Sequence, residues 1–189
     1  MTEPSPNTLI VDDEKEVADA YALRLRDLGT VETVYDGRSA LERIDDGEID
    51  IVLLDRHMPG MAGDEVLSRL DERDFVGQVV MVTAIDPGFE VLDMPFDDYL
   101  CKPVNREDIR QVVSQQATIL GYATLGEYFA AESTRQVIVA ELPPAEREAN
   151  ERYQSVTTRA NRLRARAERL LPDADDLLAA FDDIGREGR

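Results

Sequence analysis

Short apolar runs alternate with amphipathic segments along the first 120 residues, and this pattern limits the folds that the chain can adopt. Five runs have the length and composition of strands, at 8–11, 30–35, 49–54, 78–82 and 98–101. Four segments have apolar residues at the three- and four-residue spacing of helices, at 14–28, 38–46, 63–73 and 105–120. Such alternation predicts βαβ units and a parallel sheet covered by helices on both faces.

The third and fourth runs are apolar almost throughout, as strands buried on both faces should be. Because crossovers between parallel strands are right-handed, we expect a doubly wound, three-layer α/β fold with five parallel strands. Residues 1–121 carry a net charge of −16, whereas residues 145–189 are nearly balanced, with 10 acids and 9 bases. This shift predicts an α/β domain over 1–120 and a small all-α extension over 121–189.

Helical patterns in the extension are separated by prolines. One predicted helix starts at Gly121 and ends near Leu142, before the pair at 143–144. A long helix over 145–171 follows, and then a short helix that Asp173 caps and that runs through residue 184.

The composition excludes several classes of protein. Forty acids against 21 bases give a net charge of −19, which disfavours nucleic acid as a partner of the whole molecule. A single cysteine rules out disulfides within the chain, and with one histidine it cannot supply a zinc site. The sequence shows neither a signal peptide nor a membrane span, so we expect a cytoplasmic protein. Only two of the bases are lysines, and such an acidic surface is typical of proteins from salt-loving organisms.

Polar residues directly follow four of the predicted strands. Asp12 and Asp13 follow the first, Asp55 the third, Thr83 the fourth and Lys102 the fifth. Ligands of such folds bind beyond the carboxyl ends of the strands, so these side chains should converge on one site. Three carboxylates in one cleft repel each other unless a cation is present, and Mg²⁺ suits oxygen ligands. Magnesium bridges to phosphoryl oxygens, and an aspartate can itself be the nucleophile.

Four motifs in this region resemble the receiver domain of two-component response regulators. They read Val-Asp-Asp-Glu at 11–14, Leu-Leu-Asp-Arg-His-Met-Pro-Gly-Met-Ala-Gly at 53–63, Val-Thr-Ala at 82–84 and Tyr-Leu-Cys-Lys-Pro at 99–103. The resemblance covers about residues 7–120 and implies a flavodoxin-like, doubly wound sheet of five parallel strands. It implies that Asp55 is the phosphoacceptor and that Asp13 binds Mg²⁺ directly, with Asp12 beside it. It also implies that the main-chain carbonyl of His57 completes the metal ligands.

The same resemblance gives roles to the ends of the last two strands. Thr83 and Tyr99 would be a switch pair, in which the hydroxyl moves toward the phosphoryl group and the ring turns inward. Lys102 would pair with phosphoryl oxygens, and the peptide bond before Pro103 would be cis. Without the resemblance, Asp12 and Asp13 can also be explained as an N-cap and its neighbour at the start of the first helix. Tyr99 can be explained as a residue that packs against the edge of the domain. Cys101 is expected to be an inert buried thiol.

The sequence departs from the family between Thr83 and Lys102. Pro87, Gly88 and Pro95 fall where the family has a full fourth helix, and a proline inside a helix costs about 3 kcal/mol. A helix of more than two turns is therefore not expected there. Many members of the family dimerise through the face beside the fourth helix, and we do not predict such dimerisation for this chain.

The extension resembles the HalX-type helical region found behind receiver domains of halophilic archaea, by position and helical character rather than by a motif. Residues 152–169 contain six arginines and one glutamate. A stripe of apolar residues at heptad-like spacing, which we assign to packing against neighbouring helices rather than to a coiled coil, crosses the same segment: Tyr153, Val156, Ala160, Leu163, Ala167 and Leu170. We expect the arginines to serve a protein contact; a solvated face and DNA binding are the alternatives.

The expected function is that of a response regulator phosphorylated by a sensor histidine kinase, and not that of an enzyme with a separate substrate. One alternative is an aspartate-nucleophile phosphatase, but such enzymes place a second acid where this chain has His57. The other is a receiver-like binding module that is never phosphorylated, against which the set Asp13, Asp55, Thr83 and Lys102 argues.

Overall fold

The computed structural model describes residues 4–84 and 87–187 and contains the predicted five-stranded parallel sheet. The strands are β1 (Asn7–Val11), β2 (Thr30–Val34), β3 (Ile51–Leu54), β4 (Gln78–Thr83) and β5 (Asp98–Cys101). Their order across the sheet is β2-β1-β3-β4-β5, and every neighbouring pair is parallel. This is the strand order of a flavodoxin-like, doubly wound fold, with β3 at the centre.

Both faces of the sheet are buried because successive side chains of a strand point to opposite sides. One set of alternating strand residues packs against the helices α2 (Gly37–Asp45) and α3 (Gly63–Asp71), and it comprises Leu9, Val11, Val52, Leu54, Val79 and Met81. The intervening residues, among them Ile10, Leu53 and Val80, are also buried. Helix α1 (Lys15–Leu25) lies against β1 and β2 and buries Ala18, Tyr21 and Leu25.

The segment between β4 and β5 contains a single 3₁₀ helix, Phe89–Asp93, among its described residues 87–97. The prediction that no helix of more than two turns forms here is therefore confirmed for these residues, while residues 85 and 86 lie outside the described part of the chain. Phe89 and Leu92 are exposed, whereas Met94 and Phe96 pack against the core.

We expect the backbone amides of Phe89–Asp93 to exchange with solvent at least about tenfold faster than those of Ile109 and Val113. A one-turn 3₁₀ helix with exposed apolar residues has few contacts to lose on opening, whereas both reference residues are buried in a long helix. Hydrogen–deuterium exchange resolved by residue measures the difference. Equal protection of the two segments would contradict this expectation.

Cys101 is exposed at the end of β5, so the prediction of a buried thiol is wrong. The reason is the position of the strand. Because β5 is at the edge of the sheet and pairs with β4 alone, its end has no further strand to cover it.

One helix, α4 (Arg106–Glu141), replaces the two helices predicted on either side of Gly121. Glycine inside a helix costs only about 1 kcal/mol relative to alanine, and no proline interrupts this stretch. A Cβ atom at position 121 would lie 2.6 Å from the side chain of Leu171. Gly121 therefore permits a close approach of the chain segment around Leu171 rather than ending the helix.

The helix predicted over 145–171 is divided in two, α5 (Pro144–Glu148) and α6 (Glu151–Leu170). Asn150 causes the division, because its side chain accepts hydrogen bonds from the backbone N–H groups of Arg152 and Tyr153 and so caps α6. The last helix, α7, runs over Ala174–Glu187, slightly beyond the predicted end.

Contacts within the chain group residues 4–117 into one compact unit and the described residues 118–187 into another, here the N-terminal and C-terminal units. The C-terminal unit has its own apolar core, which includes Leu125, Tyr128, Ala160, Ala167, Leu171 and Leu178. Ala160 and Ala167 of the predicted stripe are in this core, and Leu163 packs against it, which confirms packing rather than a separate coiled coil. None of the described helices is both long and apolar enough to span a bilayer.

Candidate functional site

Backbone hydrogen bonds continue past the ends of the strands and hold the predicted site residues in place. The N–H of Asp55 donates to the carbonyl of Val11 at 2.8 Å, which brings the end of β3 to the end of β1. On the other side, the N–H of Lys102 donates to the carbonyl of Thr83 at 2.8 Å. The polar residues that follow four different strands thus lie at one edge of the sheet.

Three carboxylates converge at this edge. Asp12, Asp13 and Asp55 each have an oxygen atom within 4.8 Å of the others. Asp12 and Asp55 are buried, the latter with 7% of its surface exposed, and Asp13 is half-buried. Asp12 also accepts a hydrogen bond from the N–H of Glu14 at 3.0 Å. The N-cap of α1 is Glu14 rather than Asp12 or Asp13, so the alternative explanation of the two aspartates as a helix cap is wrong.

Lys102 is the cation of this cluster. Its Nζ lies 2.8 Å from Asp12 Oδ2 and 3.3 Å from Asp55 Oδ1, with 15% of the side chain exposed. Burial alone would lower the pKa of Lys102, but its hydrogen bond with Asp12 and the nearby charge of Asp55 raise it above its ordinary value. Burial also raises the pKa of the Asp55 carboxyl, and the positive charge of Lys102 only partly offsets this.

These donors fit a magnesium ion. Three carboxylates and one ammonium group leave a net negative charge of two in a largely buried place, which a divalent cation would neutralise. Asp13 also lines a groove of about 580 Å³ together with His57, Met58 and Pro59, so the cluster opens to solvent on one side. His57 itself has an exposed side chain, and any metal contact through its main-chain carbonyl stays a prediction.

The two predicted switch residues lie on neighbouring strands, Thr83 on β4 and Tyr99 on β5. Thr83 is buried at the end of β4. Tyr99 lies on β5, opposite Met81, and is half-buried against the core, with its ring 5.6 Å from that of Phe96. The peptide bond between Lys102 and Pro103 is cis, as predicted.

Two residues of the site were missed at the level of sequence, Arg56 and Asp64. Arg56 directly follows Asp55, and its Nε donates to both carboxylate oxygens of Asp64, at 3.0 and 3.1 Å. The loop between them is closed by the N–H of Gly63, which donates to the carbonyl of Arg56 at 2.9 Å. Gly63 is required there because a Cβ atom would lie 2.2 Å from the carbonyl oxygen of Asp55.

Comparison with known families identifies two regions of the chain. Residues 8–114 match the family model of the response regulator receiver domain, and residues 118–181 match that of the HalX domain. The second match agrees with the predicted helical extension.

Similar proteins support the same assignment. A putative transcriptional regulator of Haloferax volcanii is 41% identical over 132 residues, which are 69% of this chain and 22% of that protein, and it supports the predicted haloarchaeal origin. The transcriptional regulatory protein CutR of Streptomyces coelicolor is 42% identical over 99 residues, or 50% of this chain and 46% of that protein. The chain thus spans less than half the length of these relatives.

Among solved structures, the signal receiver domain of a putative LuxO repressor protein from Vibrio parahaemolyticus superimposes with a TM-score of 0.59 at 25% identity. The match covers 65% of this chain and 95% of that domain.

Proposed function

The chain belongs to the response regulator receiver family, and from this premise we propose that it is phosphorylated on Asp55 by a sensor histidine kinase in the presence of Mg²⁺. The observation that carries the proposal is the cluster itself. Asp55 lies beside Asp12 and Asp13, and its Oδ1 is 3.3 Å from the ammonium group of Lys102. Phosphoryl transfer needs positioning and charge neutralisation, and these residues supply both.

In the proposed reaction, a carboxylate oxygen of Asp55 attacks the phosphorus atom. An O–P bond forms, and the bond between the phosphorus atom and the kinase histidine breaks, with the electron pair returning to the imidazole. Mg²⁺ bound by Asp13 and Asp55, with Asp12 beside them and the main-chain carbonyl of His57, would offset the charge of the phosphoryl oxygens. Lys102 would pair with one of these oxygens, and the hydroxyl of Thr83 would donate a hydrogen bond to another.

The result of the reaction would be a conformational signal rather than a released product. Movement of Thr83 toward the phosphoryl group would be coupled to the ring of Tyr99, as in the family. We therefore propose a signalling protein that supports only its own phosphorylation and dephosphorylation, in the cytoplasm of a haloarchaeal cell.

The output would pass through an all-α domain over 121–189, behind a receiver domain over 1–120. We propose a protein contact as its role. Two arginines of the arginine-rich segment 152–169 form ion pairs with carboxylates of the C-terminal unit. Arg159 pairs with Glu127 and Arg164 pairs with Glu168, both at 2.8 Å. DNA binding is the second candidate, favoured by the description of the Haloferax volcanii relative as a putative transcriptional regulator.

Incubation with acetyl phosphate and Mg²⁺ tests the proposed reaction. The intact mass of the protein should increase by one phosphoryl group, and a chelator of Mg²⁺ should prevent the increase. An unchanged mass at saturating concentrations of both would reject phosphorylation at this site.

Asp13→Asn should weaken Mg²⁺ binding by at least about tenfold, because the cluster loses the carboxylate that opens to the solvent groove. We expect affinity on the order of millimolar for the parent, since a site with few protein ligands leaves several waters on the ion. Shifts of backbone amide resonances during a Mg²⁺ titration measure both. Asp19→Asn, an exposed carboxylate on α1, is the matched control, and an equal loss in both variants would count against the assignment.

A further inference from the structure

The C-terminal unit contains a cavity of about 180 Å³ that the proposed phosphorylation does not use. It lies between the C-terminal end of α4, the short helix α5 and the first two turns of α6. Its apolar lining residues are Ile138, Leu142, Tyr153 and Val156, and Leu142 is 40% exposed, so apolar surface of the cavity reaches solvent. A cavity of about 150 Å³ can hold a benzene-sized group, so this one has room for one large apolar side chain.

The same cavity is cationic, although the chain as a whole has a net charge of −19. Among the described residues, the lining contains three arginines, Arg135, Arg147 and Arg152, and one carboxylate, Glu146. Arg135 is already neutralised, because it donates to both carboxylate oxygens of Glu132, at 2.7 and 2.6 Å. The other two arginines and Glu146 leave a net positive charge of one at the cavity.

Arg147 is the lining residue whose surroundings point to a ligand. Its Nε atom is buried, and no residue in the described part of the chain accepts a hydrogen bond from it. Its guanidinium carbon lies 5.8 Å from the centre of the Tyr153 ring, at the distance of a cation–π contact. A buried N–H group without an acceptor is costly, so a carboxylate that reaches Arg147 would gain more than one that pairs with a fully exposed arginine.

We propose that this cavity binds an acidic segment of another protein, with one large apolar side chain in the cavity and carboxylates at Arg147 and Arg152. The inference rests on the proposed role of the C-terminal unit as a protein contact, and it names the site and the chemistry of the partner. A DNA phosphate would bring negative charge but no apolar group, and burying a phosphate against apolar residues is costly. An acidic protein segment supplies both parts.

Fluorescence anisotropy with the full chain, in potassium chloride at about 1 M, tests the proposal. The Debye length is then about 3 Å, so only carboxylates in direct contact with an arginine contribute. The probe is a short fluorescein-labelled peptide of aspartate, glutamate and serine with one central leucine. Replacing the leucine of the probe by serine should weaken binding at least about tenfold, the factor expected from burying one leucine side chain. Replacing its acids by their amides should also weaken binding.

Two variants of the protein test the two parts of the site. Val156→Phe should fill the cavity with its own ring and weaken binding of the leucine probe at least about tenfold. Arg147→Met, which keeps the length of the side chain but not its charge, should weaken it at least about fivefold. The matched controls are Val137→Phe, at an exposed residue of α4 outside the cavity lining, and Arg159→Met, which breaks the exposed pair with Glu127. Both controls should bind the probe as the parent does.

Equal affinities for the leucine and serine probes would overturn the proposal, and so would an equal loss in Arg147→Met and Arg159→Met, since charge alone would then explain binding. Two further outcomes would reassign the cavity and overturn the proposal. One is binding of duplex DNA at the same salt that Arg147→Met abolishes, and the other is self-association of the parent that Val156→Phe abolishes.

The comparison of the two probes uses the parent protein, so it is decisive even if Val156→Phe does not fold. The binding experiment contains no phosphodonor and is therefore independent of the proposed reaction. A parent that binds the probe but gains no mass with acetyl phosphate rejects only phosphorylation, whereas a parent that is phosphorylated but does not bind the probe rejects only this site.

Discussion

Asp55→Asn should take up no phosphoryl group from acetyl phosphate, at any concentration of Mg²⁺. An amide has nearly the size and shape of the carboxylate but is not a nucleophile toward phosphorus, so the loss is chemical and not steric. The mass of the intact protein, measured as for the parent, should stay at its value without phosphodonor.

The stability of this variant distinguishes loss of chemistry from loss of fold. Because burial raises the pKa of Asp55, its ionised form destabilises the folded state increasingly as the pH rises above the ordinary pKa of an aspartate. The neutral amide removes this cost, and we expect the midpoint of thermal unfolding at pH 7 to be equal to or above that of the parent. Asp71→Asn, on an exposed carboxylate at the end of α3, is the control that should keep phosphorylation. Undiminished phosphorylation of Asp55→Asn would show that the phosphoacceptor is another residue.

Glu132→Ala should destabilise the C-terminal unit by about 2–4 kcal/mol, the largest effect that we expect outside the apolar cores. Glu132 is a buried carboxylate on α4 with 6% of its surface exposed. It accepts hydrogen bonds from Nε and a terminal nitrogen of Arg135, at 2.7 and 2.6 Å, and Arg135 in turn donates to the hydroxyl of Tyr153 on α6. Without the carboxylate, the charge of this half-buried arginine would lose its compensating partner.

Urea denaturation followed by circular dichroism measures the free energy of unfolding of this variant. Glu168→Ala, which breaks the exposed pair with Arg164, is the matched control and should cost no more than about 0.5 kcal/mol. Equal effects of the two substitutions would contradict the assignment of a buried ion pair.

The same pair gives a pH dependence with a definite sign. The hydrogen bond from Arg135 lowers the pKa of Glu132 below its ordinary value of 4.5. Its contribution to stability is therefore fully present above pH 4.5 and is lost as the pH falls through the lower pKa of the folded state. The difference in stability between the parent and Glu132→Ala should accordingly shrink in acid.

Periodicity predicted the sheet well because each strand's apolar pattern follows directly from burial on one or both faces. All five strands form within about two residues of their predicted bounds. The boundaries of the helices were harder to predict where a single residue determines whether a helix continues or ends. Gly121 looks like a boundary in the sequence, yet its missing Cβ atom serves contact with Leu171, and Asn150 looks like an ordinary helix residue, yet it caps α6. The contact of Gly121 depends on a residue 50 positions further along the chain, which no local pattern reveals, whereas the cap at Asn150 is a local signal inside a longer helical pattern.

The convergence of Asp12, Asp13, Asp55 and Lys102 could be predicted because the ends of parallel strands meet at one edge. The contact between Arg56 and Asp64 could not, since it depends on the rotamer of a long side chain. Arg56 lies in a loop and Asp64 lies in the first turn of α3, so no helical or strand periodicity relates them, and the pair becomes visible only when the loop between them is folded.

The exposed thiol of Cys101 offers a native attachment point for an optical reporter. The chain has no other cysteine, so a thiol-reactive fluorophore would label one defined position without any engineered residue. That position is two residues after Tyr99, whose ring the proposed switch would turn, and directly before Lys102. Since the chain also lacks tryptophan, no indole emission would overlap with the label. A change in the emission of the dye could then be followed in real time while phosphodonor and Mg²⁺ are added to the native sequence.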